Sequence, residues 1–399
     1  MASHFPPLGR TRLSPKQCPS WRWVTITTGL SLCSFSYGVI TGAWHLPPYK
    51  LLVAAKTIAV DTVGGRGPAA TAITPFLQQT DPRSLITLST AAEVDSRRKQ
   101  LIRTLWKNGV MPSNIPVTVT NDVADQNYAP ISTLQRIDAL TIEMDHGLQS
   151  VCYHFVPKKR NRRLVIYHQG HGGDFSLGKH VIAKLLDADY DVVGMSMPLK
   201  GMNNKPEVQV QRFGTLRLDD HKKLALLPRD RGHPVRFFIE PVVAVIDLFA
   251  QSYSEIFMLG ISGGGWTTLV SAAIDPRITR SYPVAGSLPI YIRAEDSRHW
   301  GDYEQTVPEL YSVANYLELY ILAATGHDGT ARRHIQVLNK NDPCCFFGDT
   351  YKLYERAVAT TVRKCGNGSF SVLLDTSHRS HAVSHWTIRK LLEDMGHTD

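Results

Sequence analysis

The sequence predicts an α/β protein whose mainly parallel central sheet is covered by helices on both faces. From about residue 137 onward, short apolar runs of strand length alternate with helical stretches. Parallel strands impose that alternation, because each crossover must carry a helix back across the sheet. One junction is sharper than the rest: the run EIFMLG passes into a helix through Ile261-Ser262-Gly263-Gly264, a glycine-flanked turn between strand and helix. With 43% hydrophobic and 20% charged residues over 399 positions, the chain has the composition of a folded globular protein.

Residues 1–22 are a basic segment carrying Arg10, Arg12, Lys16 and Arg22. The charges then stop, and Trp23 to Trp44 gives 22 uncharged residues, WVTITTGLSLCSFSYGVITGAW. At about 1.5 Å per residue this is enough to cross a hydrocarbon core of roughly 30 Å. The basic flank would stay cytoplasmic and the terminal aromatics fit interfacial belts. Residues 23–44 therefore read as a single-pass anchor with the rest of the chain outside the cytoplasm. The alternatives are a signal segment cleaved after small residues such as Thr41 and Ala43, giving a secreted or periplasmic protein, or a buried or surface helix.

Residues 45–136 read as a linker and helical preface. Residues 61–90 lack periodicity, whereas 91–108 has helical spacing with Ser89 or Thr90 as its cap. The catalytic domain is placed at 137–399. Within it 138–143 and 149–156 read as a hairpin, and the buried strands 164–168 and 190–197 flank the helical stretch LGKHVIAKLLDADY. A polar insert follows at 200–234, then a helix over 237–250, the strand 255–260 and the helix after Ser262. Strands at 282–286, 334–339 and 370–375 and a closing helix from Ser384 complete the chain.

The net charge of +9 comes from scattered groups such as Lys158-Lys159-Arg160, Arg162-Arg163 and Arg332-Arg333, which read as a solvated face. No stretch interleaves basic and aromatic residues as a nucleic-acid platform does, so nucleic-acid binding is not expected. Cys365 and one of Cys344 and Cys345 would form a bridge in an oxidising compartment, with free buried thiols the competing reading for Cys152 and the others. No Cys/His spacing indicates structural zinc.

Gly260-Ile261-Ser262-Gly263-Gly264 fits G-x-S-x-G in its strand-turn-helix context, which exposes a serine hydroxyl at the carboxyl edge of a sheet. Serine is a weak nucleophile at neutral pH and needs a histidine base oriented by a carboxylate. Asp342, after the strand HIQVLN, is the candidate acid, although Asp342-Pro343 also reads as a turn initiator. Asp375 is the weaker candidate because it ends the strand just before the histidines. His378, His381 and His385 offer the base, His385 being placed inside the first turn of the last helix by the cap Ser384. An oxyanion needs N–H donors: Gly263 supplies one, and His171 or Gly172 in the loop HQGHGGD supplies the second. His168 and His171 have the look of metal ligands, but no matching carboxylate cluster accompanies them in sequence, and no metal or cofactor is expected. The insert 200–234 reads as a lid, a pocket wall or a surface excursion, with His221 exposed on it.

YHQGHGG, GISGGGW, AAIDPRI, the DP of NKNDPCC and HAVS resemble the α/β-hydrolase superfamily over roughly residues 137–396. The turn GISGGGW followed by AAIDPRI is most similar to its dienelactone hydrolase and acetyl-xylan esterase branch. The resemblance implies the α/β-hydrolase fold, a Ser-His-Asp triad and cofactor-free hydrolysis. It also implies His381 as base, through the H-x-x-S before the last helix, with His378 the alternative. The expected activity is hydrolysis of a small-molecule carboxylic ester through an acyl-enzyme. Acyl transfer, thioester or amide cleavage would use the same groups; a non-catalytic binding protein on this scaffold and a membrane-associated interaction protein are the other classes.

Overall fold

The computed structural model describes residues 73–326 and 329–397. The chain divides into two compact units, Met1–Arg66 and Gly67–Asp399, and every described residue belongs to the second. The basic segment 1–22 and the anchor or signal segment 23–44 lie outside the described residues. Among those described, no helix is long and apolar enough to cross a membrane.

Eleven strands occur among the described residues: β1 Val117–Thr120, β2 Leu134–Glu143, β3 Gln149–Pro157, β4 Arg163–His168, β5 Asp191–Met195, β6 Glu207–Val210, β7 Gly214–Arg217, β8 Glu255–Ile261, β9 Ile278–Val284, β10 Arg332–Asn339 and β11 Gly368–Asp375. Nine form one sheet in the order β1-β2-β3-β5-β4-β8-β9-β10-β11, and β6 and β7 form a separate hairpin within the insert. Strands β1, β2 and β3 pair antiparallel at one edge, β3 also against β5. From β5 across to β11 every pairing is parallel. This is the mainly parallel sheet expected.

The longer helices are α1 Ala91–Leu105, α2 Lys179–Asp187, α3 Glu240–Phe249, α4 Gly263–Ile274, α5 Tyr316–Ala324, α6 Glu355–Cys365 and α7 His385–Asp394. Alternation along the strands sends side chains to two cores. On β4, Leu164 and Ile166 join the core that takes residues from α1, α3, α4, α5 and α6, whereas Val165 and Tyr167 join the one formed with α2 and α7. Helix α2 shows the sequence logic: KHVIAKLLD buries Val181, Ile182, Leu185 and Leu186, a stripe one turn apart, and exposes Lys184 on the other side.

The preface differs from its expected place ahead of residue 137. Thr90 and Glu93 close a capping box on α1, and Val94, Leu101 and Leu105 are buried in the same core as Ile166 and Met258. Strand β1 likewise pairs Val117 to Ile142 of β2. An apolar stripe on α1 is stable only against a partner surface, so the helix is part of the domain body.

Arg332 also departs from expectation. It is 2% exposed, not on a solvated face. Its guanidinium donates to the carbonyls of Ile278, Ala272, Asp275, Leu322 and Thr325, and Arg98 joins it on Ala273, Leu322 and Thr325. These carbonyls include the C-terminal ends of α4 and α5, where no intrahelical donor remains. Burial, with the charge of Arg98 adding to it, pushes the Arg332 pKa down to about 9, which leaves it charged at neutral pH. Arg332→Leu is expected to destabilise the fold by about 3 kcal/mol or more, because several buried acceptors lose their donor. Arg333→Leu breaks the pair of a half-exposed guanidinium with Asp394, which keeps Arg280 and Tyr282 as partners, and should cost under about 1 kcal/mol. Urea midpoints of the two variants check this; equal shifts would show that the buried network contributes nothing special.

Candidate active site

Strands β4 and β8 are parallel neighbours, yet the chain leaves β4 toward β5 on one side and β8 toward β9 on the other. Loops diverging in this way open a crevice at the carboxyl edge of the sheet. Ser262 stands at that point with φ 57° and ψ −125°, a conformation that side-chain-bearing residues rarely hold. It is held there by Ser262 N–H donating to Val284 O at 2.9 Å and by Trp266 N–H donating to Ser262 O at 3.0 Å. A Cβ on Gly264 would lie 2.1 Å from the His168 carbonyl oxygen, and one on Gly170 would lie 2.5 Å from Ser262 Cβ. Only glycine lets the two loops touch backbone to backbone here. Gly263 opens α4, so its N–H lacks an intrahelical acceptor and lies at the positive end of the helix dipole.

Asp342 is completely buried on the loop after β10. One oxygen accepts the Cys344 N–H at 2.8 Å, so the turn-initiator reading holds. The other faces His381 Nδ1 at 2.7 Å, and the two roles coexist because a carboxylate has two oxygens. Asn339, at the end of β10, donates to Asp342 Oδ2 at 3.2 Å and to Ala382 O at 3.0 Å, tying the acid's loop to the histidine's. Nothing in the sequence pattern marked Asn339. With Nδ1–H donated to the carboxylate, His381 Nε2 is the free acceptor of the ring, and it is buried without a hydrogen-bond partner.

His378 is paired differently. Its Nδ1 meets Ser380 Oγ at 2.9 Å and its Nε2 lies 3.4 Å from Asp375. Asp375 is occupied by Ser377, Ser384 and Thr387, whose hydrogen bonds outweigh the opposing effect of burial and keep its pKa lowered. Ser384 caps α7, as expected, and Asp375 anchors that cap. The cavity beside the serine, about 210 Å³, is lined by Ser262 and His381 together with Gln169, Gly170, Gly172 and the apolar Tyr167, Leu177, Ile261 and Val383; His378 and Asp375 are not on it. Two larger grooves of about 690 Å³ lie elsewhere, and neither groups a serine with a histidine.

In the loop after β4, Gly170 is the residue against the serine. The His171 ring packs on the start of α4, its Cε1 2.5 Å from where a Gly263 Cβ would be, whereas a Cβ on Gly172, which lines the cavity, would meet Leu177 Cδ1 at 3.9 Å. His168 is buried, its Nδ1 against Gln169 O, and burial pushes its pKa down to about 4. His221 is 2% exposed, contrary to the exposed position expected, because its ring packs on Phe238. His171 and His221 both face Asp302 and Glu304, which lie between β9 and α5. A carboxylate cluster thus does accompany His171, from a part of the chain remote in sequence. Burial works against a charge on His171, but the hydrogen bond and charge of Glu304, with Asp302 behind, raise its pKa. The hydrogen bond from His221 holds the Asp302 carboxyl well below the usual range.

The expected bridge from Cys365 is not formed. Cys344 and Cys345 are joined to each other, and Cys365 and Cys152 are free and buried. Cys365 ends α6 on its core-facing side, so its thiol packs into the apolar core instead of reaching the loop after β10.

No family model matches the chain, and no curated protein matches its sequence. Among solved structures, it is similar to acetyl xylan esterase 1 from Thermoanaerobacterium sp. at 13% identity and a TM-score of 0.49, over 77% of this chain and 94% of that one. An acetyl xylan esterase from Paenibacillus sp. gives 13% identity and 0.47 over 78% and 96%. An esterase from Pyrococcus furiosus gives 13% and 0.43 over 69% and 94%. The strand order and the turn at Ser262, rather than these likenesses, are what place the residues of the crevice together.

Proposed function

We propose that this chain is a serine hydrolase that cleaves small carboxylic esters through an acyl-enzyme. The observation that carries the reading is the turn at Ser262: a serine held at positive φ at the switch point of a parallel sheet, sharing one small cavity with a histidine whose other nitrogen is bound to a buried carboxylate. Ser262 Oγ attacks the ester carbonyl while His381 Nε2 takes its proton, and Asp342 holds the Nδ1–H and stabilises the imidazolium. The carbonyl oxygen becomes an anion beside the Gly263 N–H and the N–H groups of the 170–172 loop. Collapse breaks the bond to the leaving alcohol, which takes the proton from His381. A water then repeats the sequence and releases the acid. No cofactor is needed for these steps.

The cavity of about 210 Å³ lies below the roughly 300–1,000 Å³ of pockets that enclose drug-sized ligands, so we assign it a short acyl chain. In a panel of esters of one alcohol, acetyl and propionyl esters are expected to exceed the decanoyl ester in kcat/KM by about tenfold or more, each tenfold corresponding to about 1.4 kcal/mol of transition-state stabilisation. A preference for the longest chain would place the acyl group outside this cavity.

For the N-terminal segment we propose a single membrane anchor with the Gly67–Asp399 unit on the non-cytoplasmic side, supported by the charge step after Arg22. Protease added outside sealed cells should degrade that unit, and deletion of residues 1–45 should release it into the soluble fraction. Recovery of the full-length chain in the cytosol would refute the anchor.

A further inference from the structure

The mechanism leaves unused a cluster of ligand-type groups beside the oxyanion loop. His171 comes from the loop after β4, His221 from the insert, and Asp302 and Glu304 from the excursion between β9 and α5. His171 Nε2 lies 2.9 Å from Glu304 Oε1 and 3.3 Å from Asp302 Oδ2; His221 Nδ1 lies 3.2 Å from Asp302 Oδ2 and 3.7 Å from Glu304 Oε2. One ligand atom from each of the four lies within 4.8 Å of all the others. Four ligands at about 2.0–2.1 Å around a tetrahedral ion stand roughly 3.3–3.4 Å apart, and the histidine–carboxylate separations, with Glu304 counted by either oxygen, lie on both sides of that edge.

Two further observations point to a cation. Glu304 is completely buried, and its Oε2, aimed at this cluster, accepts no hydrogen bond. An anionic oxygen so placed is costly unless a positive charge meets it. His221 is also fixed from behind: its Nε2 lies 2.7 Å from the Pro198 carbonyl oxygen, which only accepts, so Nε2 carries the proton and Nδ1 faces the carboxylates. A ligating histidine is held in the same way, its second nitrogen donating to a backbone carbonyl. Nδ1 is thus the ring nitrogen turned toward Asp302 and Glu304, on the side where a cation would lie between them.

We propose that His171, His221, Asp302 and Glu304 bind one divalent transition-metal ion of the zinc class, which braces the loop after β4 against the serine turn. Two imidazoles and two carboxylates suit zinc or cobalt better than calcium or magnesium, which favour all-oxygen shells. Four protein ligands close the shell, as in structural sites. The ion joins three separate segments, and it acts on the oxyanion side through His171, whose ring lies against Gly263. The half-buried Asp302 and His171 give it a path from solvent.

The test is binding to the full-length chain, independent of any activity. Chain stripped with a chelator is titrated with Zn²⁺ against a chromophoric competitor, and separately with Co²⁺ while the visible ligand-field bands are recorded. One ion per chain with bands of tetrahedral intensity is expected. The partly exposed ligands supply the variants least disruptive to folding, and Asp302→Asn and His171→Gln should each weaken binding about tenfold or more with near-ultraviolet circular dichroism retained. Cys344, Cys345 and His381 also lie close enough to share an ion, so the Cys344→Ser/Cys345→Ser chain is measured alongside and should bind as the wild type does. Absence of stoichiometric binding would mean that the four groups are an imidazolium–carboxylate network only. Binding untouched by both Asp302→Asn and His171→Gln, or lost in the serine pair, would place the ion elsewhere; either result overturns the proposal.

Discussion

Ser262→Ala is expected to abolish fluorophosphonate labelling and to lower kcat for ester hydrolysis by about 10⁶-fold, the scale on which triad enzymes lose turnover with their nucleophile. In the proposed mechanism the hydroxyl carries the reacting oxygen, and nothing else on the cavity can replace it: the lining offers no cysteine and no second serine. Stability should stay within about 1 kcal/mol of the wild type. The turn is fixed by backbone groups, Ser262 N–H on Val284 O and Trp266 N–H on Ser262 O, and alanine keeps both. Alanine also meets the same positive φ with the same Cβ, so strain is little changed. Active-site titration and a urea unfolding curve on one preparation separate loss of chemistry from loss of fold. Turnover persisting at the wild-type rate would move the nucleophile to another residue.

His381→Ala should cost turnover by roughly 10⁴–10⁶-fold, whereas His378→Ala should leave it within about tenfold. The two histidines stand three residues apart, but each has its own carboxylate. His381 is held by Asp342 and opens on the cavity of Ser262; His378 sits by Asp375, which already anchors the cap of α7 through Ser384 and Thr387. Asp342→Asn provides the matched control. It keeps the turn that accepts Cys344 N–H but can favour the wrong tautomer of His381, so kcat should fall by about 10⁴-fold while the melting temperature changes little. Comparing kcat for the three variants decides the assignment. The larger loss falling on His378→Ala would make Asp375 and His378 the working pair.

Much of the site was legible because local chemistry dictates it. G-x-S-x-G between an apolar run and a helix leaves few backbone solutions, and Ser262 adopts the positive-φ turn that such a sequence implies. Ser384 was readable as a cap from its position before HWTIRKLL, and it accepts Thr387 N–H. Asp342 could be nominated from chain order, which left His378 and His381 both open as its partner; the resemblance implied His381, and only the fold brings it within 2.7 Å of Asp342. Asn339 was not readable, because a polar residue ending a strand carries no signature until the loop it bridges is in place.

What the sequence determined by itself was whatever rests on period and on small local turns: the strands of the sheet from β2 onward, the helical stretch of α2, where α4 and α7 begin, and that the serine stands between strand and helix; β1 and the β6–β7 hairpin were not read from it. Tertiary structure alone decided the pairings across long separations. It buried Arg332 among the carbonyl ends of α4 and α5, drew α1 into the core, kept Cys365 in the core away from the loop after β10, and set His171 and His221 against Asp302 and Glu304. Apolar periodicity reports how a segment meets a core, since burial acts on every residue of a face. A charged or polar side chain is placed by a few directional partners, and those come from whichever segments the closed sheet happens to bring within hydrogen-bond range.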